Sequence, residues 1–154
     1  MQGLELSNCP PELEAKLAPH IRAFFESNGY PLGMDYSVSI VFDLKIGPVH
    51  KNQGEITVSL GGCPHGRNQG WILVYTKHTP TMADLVDSVF HELDHVLWIF
   101  QKGYPDYPKD LPYAQKPNEI RAWFTGKQWR DKLDISTDES VQEVFGIKPA
   151  EALE

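Results

Sequence analysis

Residues 91–95 read His-Glu-Leu-Asp-His. If this segment is helical, His91 and His95 stand on one face, one turn apart, and both imidazoles can reach one ion. Neutral imidazole is a good zinc ligand. Glu92 is rotated about 100° from His91 on a helix of 3.6 residues per turn. It therefore stands beside the ion, where a carboxylate can act as general base on a zinc-bound water whose pKa the metal lowers to about 7. A zinc that keeps one position for water needs three protein ligands, and two histidines leave it one short. Glu119, in Asn118-Glu119-Ile120-Arg121-Ala122, is the leading candidate. Residues 96–118 are enough to end one helix, turn through a loop and return antiparallel. Asp94 is on the right helix but is better placed to orient an imidazole. Asp106 and Asp110 fall in a loop that would hold a metal poorly. Tyr104, Tyr107 and Tyr113 share that loop. One of them could donate to an oxyanion, and Tyr113, nearest to Glu119, is favoured. The competing reading is a hydrogen-bonded polar cluster without metal.

The elements that must position these groups follow from periodicity. Thr81 and Asp84 form a capping-box-like start, and Gly103 a stop, for a long helix carrying residues 91–95. Its apolar positions, Leu85 to Phe100, go nearly all the way round, so the helix should be central and buried. A second helix is expected from Pro117 to about Leu133. Ala122 on it is small enough to let the two helices approach. Upstream, Pro10-Pro11 with Leu13, Leu17, Ile21, Phe24 and Phe25 predicts an amphipathic helix ending at Gly29. Alternation predicts strands at 36–42 and 56–60. Trp71-Ile72-Leu73-Val74-Tyr75-Thr76 reads as a strand covered on both faces, and it is a candidate for pairing with an extended substrate. Residues 47–54 and the Gly-rich stretch 61–70 read as loops. A short helix is expected around 139–145, before Gly146. The order of elements predicts an α+β fold in one domain, residues 1–154, with a small sheet packed on the buried helix.

The chain has 154 residues and a net charge of −7, which argues against nucleic acid as a partner and gives no polybasic membrane anchor. The N-terminus lacks a basic region followed by an apolar run, and no apolar stretch is long enough to span a bilayer. With 2 Cys and no export signal, free thiols and a cytoplasmic location are expected. Cys63-Pro64-His65 reads as an ordinary loop. His20, His50 and His78 read as solvated surface, Trp123 and Trp129 as core, and the acidic stretch 131–154 as solvated. Oligomeric state is not specified.

His91-Glu92-Leu93-Asp94-His95 followed by Asn118-Glu119 resembles the gluzincin metallopeptidases, whose second motif reads Asn-Glu-x-x-Ser-Asp. The resemblance covers residues 81–125. Ala122 and Trp123 stand where the family has Ser and Asp. The chain resembles the compact single-domain gluzincin-like proteins of bacteria and phages more than the large members, whose second, helical domain it lacks room for. The resemblance implies a zincin-like domain, zinc bound by His91, His95 and Glu119, a peptide or protein substrate, and Glu92 as base and proton shuttle. Two other readings remain. One is a zinc-containing binding protein of the same fold without activity. The other is an amide hydrolase acting on a small molecule or cell-wall fragment.

Overall fold

In the computed structural model, residues 3–44, 54–61, 67–76, 81–108, 110–133 and 139–146 are described. The elements are β1 (Leu4–Ser7), α1 (Pro11–Ser27), β2 (Tyr36–Asp43), β3 (Gly54–Ser59), β4 (Asn68–Tyr75), α2 (Met82–Lys102), α3 (Pro117–Lys132) and α4 (Val141–Phe145). A single 3-10 turn, Tyr113–Gln115, precedes α3. The four strands form one mixed sheet in the order β1-β2-β4-β3. The first three are mutually parallel, and β3 runs antiparallel to β4 on the edge. This is an α+β arrangement.

Helix α2 is the centre of the molecule. Thr81 accepts the Asp84 amide at its start, and Gly103, at φ 80°, ends it in a conformation that suits a residue without a Cβ. Leu85, Val89, Phe90, Leu93 and Val96 are fully buried, as the nearly continuous apolar surface requires. One side of α2 lies on the sheet at Gly70, where an added Cβ would come within 2.6 Å of Val96 Cγ1. Another side meets α3 at two small residues one turn apart, the fully buried Ala122 and Gly126. An added Cβ at Gly126 would lie 2.6 Å from the Asp87 carbonyl oxygen, so the two helices are in backbone-level contact. Phe90 stacks on Trp129 of α3 at 4.6 Å, and Phe24 of α1 packs edge-on against both rings.

Five expectations change. Strand β1 was not anticipated; its four residues are too few for alternation to stand out. Asn68-Gln69-Gly70 belongs to β4 rather than to a loop: pairing with Tyr36–Val38 of β2 overrides the weak strand preference of these residues. Strand β4 is not covered on both faces throughout, since Trp71 is exposed and Leu73 half-buried. Trp123 is not core, being 51% exposed, whereas Trp129 is half-buried against the core. His20 is half-buried edge-on to Trp129 instead of lying free on the surface. Cys63, Pro64, His65, His50 and His78 lie outside the described residues, as does most of the acidic stretch 131–154. Among the described residues no helix is long and apolar enough to cross a membrane.

Candidate metal centre

Helix α2 presents His91 and His95 on the side that faces the N-terminus of α3. Pro117 in the first turn of α3 fixes where that helix begins, and Glu119 follows two residues later. The close approach of α2 and α3 brings three ligand atoms together. His95 Nε2 lies 3.1 Å from His91 Nε2. Glu119 Oε1 lies 3.2 Å from His91 Nε2 and 2.8 Å from His95 Nε2. This is a group able to hold a metal ion.

The triangle can be tested against what protons alone could satisfy. A neutral imidazole carries one N–H, and that hydrogen points along one direction. If both Nε2 atoms donate to Glu119, two N–H groups crowd each other at 3.1 Å. If one donates to the other, an edge to the carboxylate loses its bond. Three lone pairs converging on one point satisfy all three atoms at once. Tetrahedral ligands at about 2.0–2.1 Å from zinc stand about 3.3 Å apart, close to the observed 2.8–3.2 Å edges. The residues present therefore fit a small cation of this kind.

The electrostatics of the cluster are those of a buried acid–imidazole set. Burial alone would raise the Glu119 pKa, but hydrogen bonds from His91 and His95, the charge of His95 and a bond from Tyr113 hold it well below the usual carboxylate range. Burial lowers the His91 pKa, yet the bond to Glu119 and the charges of Glu92, Glu119 and Asp87 outweigh this and raise it. Burial raises the Glu92 pKa, and the two histidine charges offset only part of the rise. A base at neutral pH works best with its pKa moved up in this direction. Glu92 is 8% exposed and lines the same cavity as the three ligand atoms. Gly54 of β3 lies against it: an added Cβ would come within 3.0 Å of Glu92 Cγ and 2.9 Å of the Leu73 carbonyl oxygen. Only glycine lets the edge strand pass this close to the carboxylate.

The cavity, of about 490 Å³, runs between the edge strand and the loop that joins α2 to α3. Gly54, Glu55 and Ile56 of the edge strand line it, as do Tyr104, Pro105 and Tyr113 of the connection between the helices. The sequence-predicted residues His91, Glu92, His95, Glu119 and Tyr113 all border it. Tyr113 hydrogen-bonds to Glu119, and burial, this bond and the charges of Glu119 and Glu92 raise its pKa. Asp106 and Asp110 are exposed and outside the cluster. Asp94 does not orient an imidazole as expected: it accepts from Arg121 Nε at 2.9 Å and from Thr125 Oγ1 at 3.1 Å. Among the described residues the interior strand β4, flanked by β2 and β3, has no free backbone edge for a substrate, whereas β3 lies at the edge of the sheet with its Val58 groups bonded to Tyr104.

Sequence reasoning missed Gly54, the bond of Tyr104 to the edge strand and the burial of Asn118. Only a loop signal marked Gly54, and nothing marked Tyr104 above its two neighbouring tyrosines. Asn118 was read merely as part of a motif, but its side-chain oxygen is buried at the cavity without a hydrogen-bond partner. A buried polar atom of this kind calls for a water or a ligand. No protein-family model, no curated protein and no solved structure matches this chain.

Proposed function

We propose that this chain is a zinc-dependent metallopeptidase. The observation that carries the reading is the convergence of His91 Nε2, His95 Nε2 and Glu119 Oε1 within 3.2 Å of one another, with the buried Glu92 carboxylate beside them in an open cavity. A purely structural site has no need of such a base. Two imidazoles and one carboxylate are a donor set suited to zinc with one position left open. Zinc held there supplies a Lewis acid and lowers the pKa of a bound water to about 7. Glu92 takes the proton from the attacking water and passes it to the leaving amine. Tyr113 borders the cavity and donates its one O–H to Glu119; to serve the oxyanion it would have to release that bond. The outward N–H and C=O groups of β3 offer an extended peptide a strand to pair with.

Replacing Glu92 with Gln tests this reading. The amide keeps the shape and cannot accept the proton. Zinc content should stay near one per chain while turnover of a peptide library falls about 10²- to 10⁴-fold. Full activity in Glu92→Gln, or no cleavage by the native protein across a broad library, overturns it.

One observation favours a second reading, a zinc-containing protein that binds without cutting. Helix α3 exposes Ile120, Trp123 and Phe124 at i, i+3 and i+4. They border a hollow that shares Tyr113 and Glu119 with the metal cavity. Exposed apolar patches of this kind mark binding surfaces. Replacing Trp123 and Phe124 with Ser separates the two. Loss of partner binding in a protein that never hydrolyses peptides supports the binder.

A further inference from the structure

The edge strand that borders the metal centre is not open along its whole length. The Tyr104 hydroxyl accepts a hydrogen bond from the Val58 N–H at 2.9 Å and donates one to the Val58 carbonyl. In an antiparallel pair the backbone groups of alternate residues point to the partner strand and away from it. Since Val58 turns both groups to Tyr104, Ile56 and Gly54 turn theirs the same way. These three residues form the outward row of β3, spaced about 6.8 Å apart. Gly54 lies against Glu92, so the reacting centre is at that end of the row. Gly54 and Ile56 line the metal cavity, and Tyr104 lines it too while its hydroxyl is held by Val58.

The position of Tyr104 is built in. Gly103 ends α2 with φ 80°, which turns the chain back over the sheet edge. Pro105 follows and lines the cavity, fixing the backbone beside the tyrosine. Tyr104 is 58% exposed while its hydroxyl is held by the strand. Capping an edge also guards against pairing between copies of a chain. Here the cap falls at one particular point, directly beyond the two outward residues that face the reacting centre.

We infer that Tyr104 is a specificity determinant, a stop that limits how far a substrate peptide can pair with β3. The inference rests on the metallopeptidase reading. An extended peptide gains hydrogen bonds from Gly54 and Ile56 and none from Val58. On the side of the cut that lies over Val58, residues beyond the one paired with Ile56 contribute no backbone bonds. The site thus takes short stubs, or chains that turn away, on that side.

Two series of alanine peptides ending in a hydroxamate test this without turnover. One grows from the N-terminal side of the chelating group (peptidyl hydroxamates). The other grows on the C-terminal side (succinyl hydroxamates). Binding to zinc-loaded native protein and to Tyr104→Ala is compared. In one series, native affinity should level off once the residue facing Ile56 is reached, and Tyr104→Ala should gain about five- to tenfold with two residues more. The other series should be the same in both proteins. The Val58 amide should exchange with solvent faster in Tyr104→Ala, confirming that Tyr104 held it. Identical length dependence in the two proteins overturns the inference alone. So does a variant that merely dimerises through the freed edge. Zinc-loaded protein that binds neither series overturns the metallopeptidase reading and this inference with it.

Discussion

Two polar clusters lie in the interface between α2 and α3, and they are finished differently. Around Asp94 every charge meets a donor. Arg121 Nε gives 2.9 Å to its carboxylate, Thr125 adds a hydroxyl at 3.1 Å, and another Arg121 nitrogen reaches Gln101 at 2.9 Å. Asp94 is 2% exposed, so without these donors its charge would be strongly disfavoured. Around His91, His95 and Glu119 the count of protons does not close. Two imidazole nitrogens and one carboxylate oxygen face one another, and no arginine or lysine is among the paired groups. The first cluster is complete and holds two helices in register. The second brings together two imidazole nitrogens and a carboxylate oxygen that could hold a metal ion. The same helix pair thus carries a polar lock and a candidate metal site. What separates them is whether an arginine reaches in.

The largest expected break comes from the ligand side. His95→Ala should abolish stoichiometric zinc, a loss exceeding the 10- to 100-fold typical of removing an outer partner of a metal site. Elemental analysis of protein purified with zinc reads it. The Asp94 cluster should persist, so the fold should survive. Glu119→Ala should weaken zinc far more than Asp106→Ala or Asp110→Ala, since neither aspartate borders the site.

Next comes the lock. Arg121→Ala leaves Asp94 buried and short of its charged partner. The penalty should be about 2 kcal/mol, reduced from the 3–5 kcal/mol of a fully buried pair because Arg121 is 32% exposed. Denaturant unfolding measures it. Zinc stoichiometry should not change. A variant that loses zinc instead would show that the two clusters are not separable.

Gly126→Ala tests the scaffold they share. Its Cβ would meet Asp87 Oδ1 at 2.3 Å and the Asp87 carbonyl oxygen at 2.6 Å, and the carbonyl cannot swing aside. Overpacking of this kind costs about 1–3 kcal/mol. Because the helices must part, zinc affinity should fall along with stability.

The smallest effect is in pH. In metal-free protein the raised His91 pKa stabilises the folded state below the unfolded value of about 6.5. That stability is lost as pH rises through the folded value. Glu119, held low, is ionised in both states above pH 6 and adds no slope there. Metal-free protein should therefore melt at lower temperature at pH 8 than at pH 6. Zinc needs neutral imidazoles, so the zinc-loaded protein should show the opposite trend. Parallel melts with and without chelator compare the two slopes.

Local chemistry along the chain determined a good deal. The cap at Thr81, the stop at Gly103 and the apolar ring of α2 are legible because hydrogen-bonded turns and periodic burial act over a few residues. The i, i+4 spacing of His91 and His95, with Glu92 to one side, follows from helix pitch alone. Glu119 could be named as a candidate because a loop of that length can reverse direction. Tertiary structure alone decided that its oxygen arrives within 3.2 Å of both imidazoles. It also decided that Asp94 serves Arg121 rather than a histidine, that the free sheet edge belongs to β3 rather than β4, and that Tyr104 closes it at Val58. Trp123 and Trp129 share one helix, yet one is exposed and the other stacks on Phe90. The physical reason is the same in each case. Strand order, helix approach and side-chain pairing are set by contacts between distant segments, and periodicity within a segment carries no record of which neighbour will fill its open side.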